Sequence, residues 1–114
     1  MAPKQQHGNL TTMTNPSNTN LTIKEFQKLI YDRYYETDSA RGIPKTFLWL
    51  SEEYGELATD LAKLERGDGD TEALASEFAD VLAWVTTLAN LAGIDLESAL
   101  KNKYIHQEAS DDPK

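Results

Sequence analysis

Four carboxylates are spaced so that they could act together. Glu53 with Glu56, and Glu77 with Asp80, form two i, i+3 pairs within the stretch LSEEYGELATDLAKLERGDGDTEALASEFADVLAW, which runs from Leu50 to Trp84. On a helix turning roughly 100° per residue, the members of each pair lie roughly 60° apart on one face. Positions 49, 57, 60, 73, 81 and 84 are Trp, Leu, Asp, Ala, Val and Trp, so neither pair meets a Lys or Arg at those one-turn spacings. Two like-charged pairs facing one groove cost free energy unless a cation sits among them. All-oxygen ligation suits Mg²⁺, with Mn²⁺ as the alternative. A di-iron bundle would use Glu-x-x-His repeats, and neither His7 nor His106 supplies one. The bland alternative is a set of solvated helix-face charges, the usual explanation for a Glu taken singly.

The periodicity around these acids predicts the elements that carry them. Thr22 and Glu25 form a capping-box pattern, followed by a helix over 22–37 with Ile23, Phe26, Leu29, Ile30 and Tyr34 facing inward. Asp38 to Ile43 reads as a linker, and Pro44 suits the first turn of a second helix. That helix carries Phe47, Leu50, Tyr54, Leu57, Leu61 and Leu64 as one apolar seam, and Gly67 ends it. After the turn, a third helix capped by Asp70 or Thr71 carries a seam of Leu74, Phe78, Val81, Val85, Leu88 and Ala92. A connection this short makes the two helices antiparallel. Asp95 caps a fourth helix with Leu96, Ala99, Leu100 and Tyr104 inward, running to about residue 107. With no strand signal, the fold class is all-α: a four-helix bundle-type domain built on an antiparallel central pair. The domain covers 21–107, between a polar N-terminal tail at 1–20 and a frayed C-terminal tail at 108–114.

Helical angles test whether the acids converge. Glu53 and Glu56 fall roughly 70° and 130° to one side of the second helix's seam, with Trp49 and Asp60 in the same strip. Glu77 and Asp80 fall roughly 60° and 120° to the same side of the third helix's seam, beside Trp84. The two-fold axis relating an antiparallel pair keeps both strips on one side, so both line one groove. Glu52 points away from the seam, which favours Glu53 over it as a ligand and leaves Glu52 available to act as a base on a water. Trp49 and Trp84 border the acids and suit either base stacking or a core or subunit interface.

Composition narrows the partners. The 114-residue chain carries 11 Lys and Arg against 19 Asp and Glu, a formal charge of −8, which argues against a nucleic-acid-binding surface. It has no cysteine, so thiolate metal sites and disulfides are excluded. No apolar run approaches the roughly 18 residues of a membrane span, and the N-terminus lacks a signal-peptide block. A cytoplasmic protein with no membrane partner is the expectation. Apolar residues outside the seams (Leu48, Leu82, Ala89 and Leu91) predict a homo-oligomer.

Glu52-Glu53-Tyr54-Gly55-Glu56-Leu57, followed by Glu77-Phe78-Ala79-Asp80-Val81-Leu82-Ala83-Trp84, resembles the EExxE…ExxD signature of MazG-type nucleoside triphosphate pyrophosphohydrolases, an all-α superfamily. The likeness covers Leu21 to Gln107. It implies Mg²⁺-dependent hydrolysis between the α and β phosphates of an NTP or dNTP, giving the monophosphate and pyrophosphate in a nucleotide-pool housekeeping role. It implies Glu53, Glu56, Glu77 and Asp80 as metal ligands, the same four that the angles select. Glu52, matching the first Glu of the signature, takes a supporting or general-base role. The resemblance further implies that Lys101, Asn102, Lys103 and Tyr104 meet the phosphates, although a basic helix end complementing the helix dipole explains the lysines equally. Family members are dimers or tetramers with sites near subunit contacts. The competing reading is a non-catalytic helical module on the same scaffold, binding a nucleotide or a protein.

Overall fold

The computed structural model describes residues 20–106, which form four helices and, among the described residues, no strand. The tails expected at either end fall outside these residues, Asn20 excepted. Helix α1 spans Ile23–Arg41, α2 Ile43–Glu65, α3 Thr71–Ala92 and α4 Leu96–Leu100, and α4 continues into a π-helical segment, Lys101–Ile105. The capping signals act as the sequence predicts. Thr22 Oγ1 accepts from the Glu25 N–H at 3.0 Å, and Glu25 Oε1 accepts from the Thr22 N–H at 2.9 Å. Asp70 caps α3 through the Glu72 and Ala73 N–H groups, and Asp95 caps α4 through that of Ser98.

The α2–α3 turn depends on glycine twice. Gly67 has φ +87°, in the left-handed region that glycine adopts without a Cβ penalty. At Gly69 a Cβ would come within 2.7 Å of Leu64 Cα, closer than atoms pack, so only a bare backbone crosses the end of α2 there. This tight return sets α2 and α3 antiparallel along their length. Gln27 ties α1 to the α3–α4 corner. Its amide donates to Asn90 Oδ1 at 2.9 Å and to the Ile94 carbonyl at 2.7 Å, and its Oε1 accepts from the Leu96 N–H at 2.9 Å.

Three expectations need correction. First, α1 does not fade at residue 37 but runs to Arg41, and Gly42 alone separates it from α2. Asp38 and Arg41, assigned to a linker, are helical, and their ion pair closes the last turn. Second, the faces of the central pair are rotated. The inward face of α2 is Thr46, Leu50 and Glu53, while Phe47, Tyr54, Leu61 and Leu64 of the expected seam are exposed. By helical angle this turns α2 about 40° toward its acidic strip. On α3, Leu74, Glu77 and Trp84 are buried while Phe78 is half exposed. Hydrophobic periodicity finds an apolar face without specifying whether it packs within the chain, and on α2 most of that face lies on the outside. Third, Ala99, Leu100 and Tyr104 of the C-terminal helix are exposed rather than inward. That helix meets α1 through Glu97, whose Oε1 accepts from the Lys24 N–H at 3.1 Å. Of the residues expected to be in surplus, Leu48 and Leu82 are exposed, but Ala89 belongs to the core.

Candidate metal centre

Rotation of α2 and α3 toward their acidic strips brings carboxylates into the interior. Glu53 is 0% exposed and Glu77 8%, among the most buried side chains of the described chain, and Glu56 is half-buried beside them. One carboxylate oxygen from each of the three can be chosen so that all lie within 4.8 Å of one another. Two oxygens bound to one Mg²⁺ at about 2.1 Å are about 3.0 Å apart when adjacent and about 4.2 Å when opposite, so side-chain movements of up to about 2 Å would bring the three onto one octahedral ion. A hard, oxygen-only donor set from two helices fits a small divalent cation; the chain has no cysteine, and among the described residues no imidazole joins the set.

The remaining predicted residues lie outside this group of three. Asp80, half-buried, lies one turn beyond Glu77 on α3 and outside the converging set of three. Glu52, also half-buried, precedes Glu53 on α2. Trp49 and Trp84 meet edge to face, with ring centroids 5.7 Å apart and planes at 88°. Trp49 is one turn before Glu53 and Trp84 one turn after Asp80, so the indoles lie roughly 6–10 Å along the helix axes from the carboxylates. Lys101, Asn102, Lys103 and Tyr104 lie on the exposed π-helical segment, where Lys101 pairs with Glu97 at 3.6 Å and Lys103 lies over the Tyr104 ring.

Sequence reasoning missed a second polar cluster at the indole end. The Arg41 guanidinium stands 4.7 Å from the Trp49 ring centroid and 5.1 Å from that of Trp84. Its Nη2 donates to Asp38 Oδ1 at 2.5 Å and its Nε to Thr46 Oγ1 at 2.9 Å. The other oxygen of Asp38 accepts from Thr87 Oγ1 at 3.1 Å. Asp38, Thr46 and Thr87 are all buried. The i, i+3 pairing of Asp38 with Arg41 and the threonines interrupting apolar runs were the available signals. The polar character of Asp38-Ser39-Ala40-Arg41-Gly42 concealed them by resembling a loop.

An all-α hairpin with three acids converging from its two helices defines a helical protein with a candidate divalent-metal site. A family model described as the MazG nucleotide pyrophosphohydrolase domain matches residues 42–109, well over half of the chain, and the chain belongs to that family. No curated protein matches the chain. The matched region holds α2, α3 and α4 with all four predicted ligands; α1, including Asp38 and Arg41, precedes it. Among the described residues, no single helix is long and apolar enough to cross a membrane.

Proposed function

We propose that the chain is a Mg²⁺-dependent nucleoside triphosphate pyrophosphohydrolase that cleaves an NTP or dNTP between its α and β phosphates. The observation that carries this reading is the convergence of Glu53, Glu56 and Glu77 in the interior of a family member. These three residues, with Asp80 one turn further along α3, would hold the ion. When bound, a divalent cation supplies neutralisation of the triphosphate and polarisation of its phosphoryl oxygens. Glu52 accepts a proton from the water that adds across the α–β anhydride, and pyrophosphate leaves as the second product. Trp49 and Trp84, toward one end of the acidic cluster, receive the nucleoside. Lys101, Asn102, Lys103 and Tyr104 meet the phosphates. An acidic protein thereby binds a polyanion through its metal.

Assembly forms part of the proposal. Phe47, Leu48, Tyr54, Leu61, Phe78 and Leu82 are each more than two-fifths exposed on the central helix pair, an apolar area that a second copy would bury. Light scattering behind size exclusion should give a dimer or tetramer that Phe47→Asp with Leu82→Asp reduces to a monomer. A monomeric wild type would overturn this part alone.

The reaction is tested by ion-exchange analysis of products after incubation with each NTP and dNTP, with Mg²⁺ and with EDTA. Monophosphate and pyrophosphate, formed only with Mg²⁺, are expected. Diphosphate with orthophosphate would show the cleavage position to be wrong. Nucleotide binding without turnover across the panel would favour a binding module.

A further inference from the structure

The reading of a nucleotide site leaves unexplained why a charged pair is buried at its indole end. The Arg41 side chain is only 8% exposed and that of Asp38 4%. Withdrawing two charges from water is costly, and apolar residues of similar size often stabilise such positions as well or better. What an apolar residue cannot do is fix direction. The guanidinium fork is planar, and here its edges are held from two helices while its face lies near two rings. Asp38 holds one nitrogen from α1, Thr46 another from α2, and Thr87 of α3 anchors Asp38 in turn. All three helices therefore converge on one cation.

The rings that this cation orders adjoin the carboxylate cluster along the same two helices. Trp84 is 2% exposed, and its indole N–H is buried with no hydrogen-bond partner among the described residues. A donor left in that state is uncommon in a folded interior and marks a place where a ligand or water completes the structure. Without Arg41, the Trp49 ring, which is only half-buried, would have its edge-to-face packing on Trp84 and the more distant Lys45, 5.7 Å away, to orient it.

We infer that Arg41, clamped by Asp38 and Thr46, is a positioning residue that holds Trp49 and Trp84 as the wall receiving the nucleoside, so that it governs nucleoside affinity and leaves the grip on the triphosphate unchanged. This rests on the nucleotide reading above, and it concerns a residue of α1 that lies outside the region matched to the family. The ligand end it serves is the base and sugar, whose flat face packs on the half-buried Trp49 indole.

The test compares two ligands that share the phosphates and differ in the nucleoside: an NTP ranked best in the product assay, and inorganic tripolyphosphate. Binding is measured by calorimetry with Ca²⁺ in place of Mg²⁺ to suppress turnover, on the full chain. Arg41→Lys retains the charge and loses the fork. The pair Asp38→Asn with Arg41→Gln removes both charges together and keeps hydrogen-bonding groups, should the single variant fold poorly. Each is expected to weaken NTP binding about tenfold while tripolyphosphate changes less than about twofold. The near-ultraviolet circular dichroism of the indole pair should fall in parallel. Equal losses for both ligands, or no loss for the NTP, would overturn the assignment of Arg41 while leaving the nucleotide reading intact. A wild type that binds neither ligand would overturn both.

Discussion

Replacing Glu53 by Gln should have opposite effects on the protein with and without metal. Three carboxylate oxygens lie within 4.8 Å of one another. At an effective dielectric of about 20, two unit charges at about 4.8 Å repel by about 3.5 kcal/mol, and Glu53 takes part in two such pairs. Side-chain movement relaxes much of this. The new amide can also donate to Glu56 or Glu77, so its burial is compensated. The net expectation is that Glu53→Gln stabilises the metal-free protein by about 1–3 kcal/mol, each kcal/mol raising Tm by roughly 4–8 °C in a domain of this size. With Mg²⁺ at a hundredfold excess over its Kd, the wild type gains about 2.7 kcal/mol, and the variant should gain almost none. Differential scanning fluorimetry in EDTA and across a Mg²⁺ series reads both effects. A variant that melts lower than wild type in EDTA, or keeps the full Mg²⁺-dependent rise, would refute the reasoning.

Other perturbations test the frame around the site. Gly69→Ala places a Cβ 2.7 Å from Leu64 Cα, backbone that cannot rotate away, and should cost about 1–3 kcal/mol by thermal or urea unfolding; a neutral result would mean that the turn tolerates opening. Asp38→Ala leaves the Arg41 charge buried without its partner and should cost about 3–5 kcal/mol in urea, whereas a loss below about 1 kcal/mol would show the pair to be solvated. Low pH should loosen two helix starts. The Thr22 backbone N–H holds the Glu25 carboxyl below its ordinary value, and the Ser98 N–H does the same for Asp95. Because both values are depressed in the folded state, the stability they contribute is complete above the ordinary carboxylate range and is lost as pH falls through the lower, folded values. The Tm gap between wild type and Glu25→Gln should therefore narrow between roughly pH 5 and pH 3, and a gap constant with pH would contradict the cap's role.

The acids were legible in the sequence because two constraints coincided, like-charge spacing and matched rotational offsets on an antiparallel pair. Those constraints selected Glu53, Glu56, Glu77 and Asp80; the first three converge, and Asp80 lies one turn beyond the converging set. The caps at Thr22, Asp70 and Asp95 were legible because they are local chemistry. The direction in which α2 faces was not. An apolar stripe such as Phe47, Tyr54 and Leu61 gives the same periodic signal whether it meets α3 or a second copy, and a buried Glu53 counts against the face that carries it. Asp38 and Arg41 escaped because a pair buried in the fold is composed of the same residues as an exposed corner. Only Thr87, 49 residues away in the chain, reveals that the corner is closed.

The central claim is that Glu53, Glu56 and Glu77 hold a divalent cation, and anomalous diffraction from a crystal soaked in Mn²⁺ tests it most directly. The account predicts a peak with one oxygen of each of the three carboxylates at about 2.2 Å, and the same map decides whether Asp80 joins them. Mn²⁺ bound elsewhere, with the three carboxylates left without an ion at saturating concentration, would contradict it.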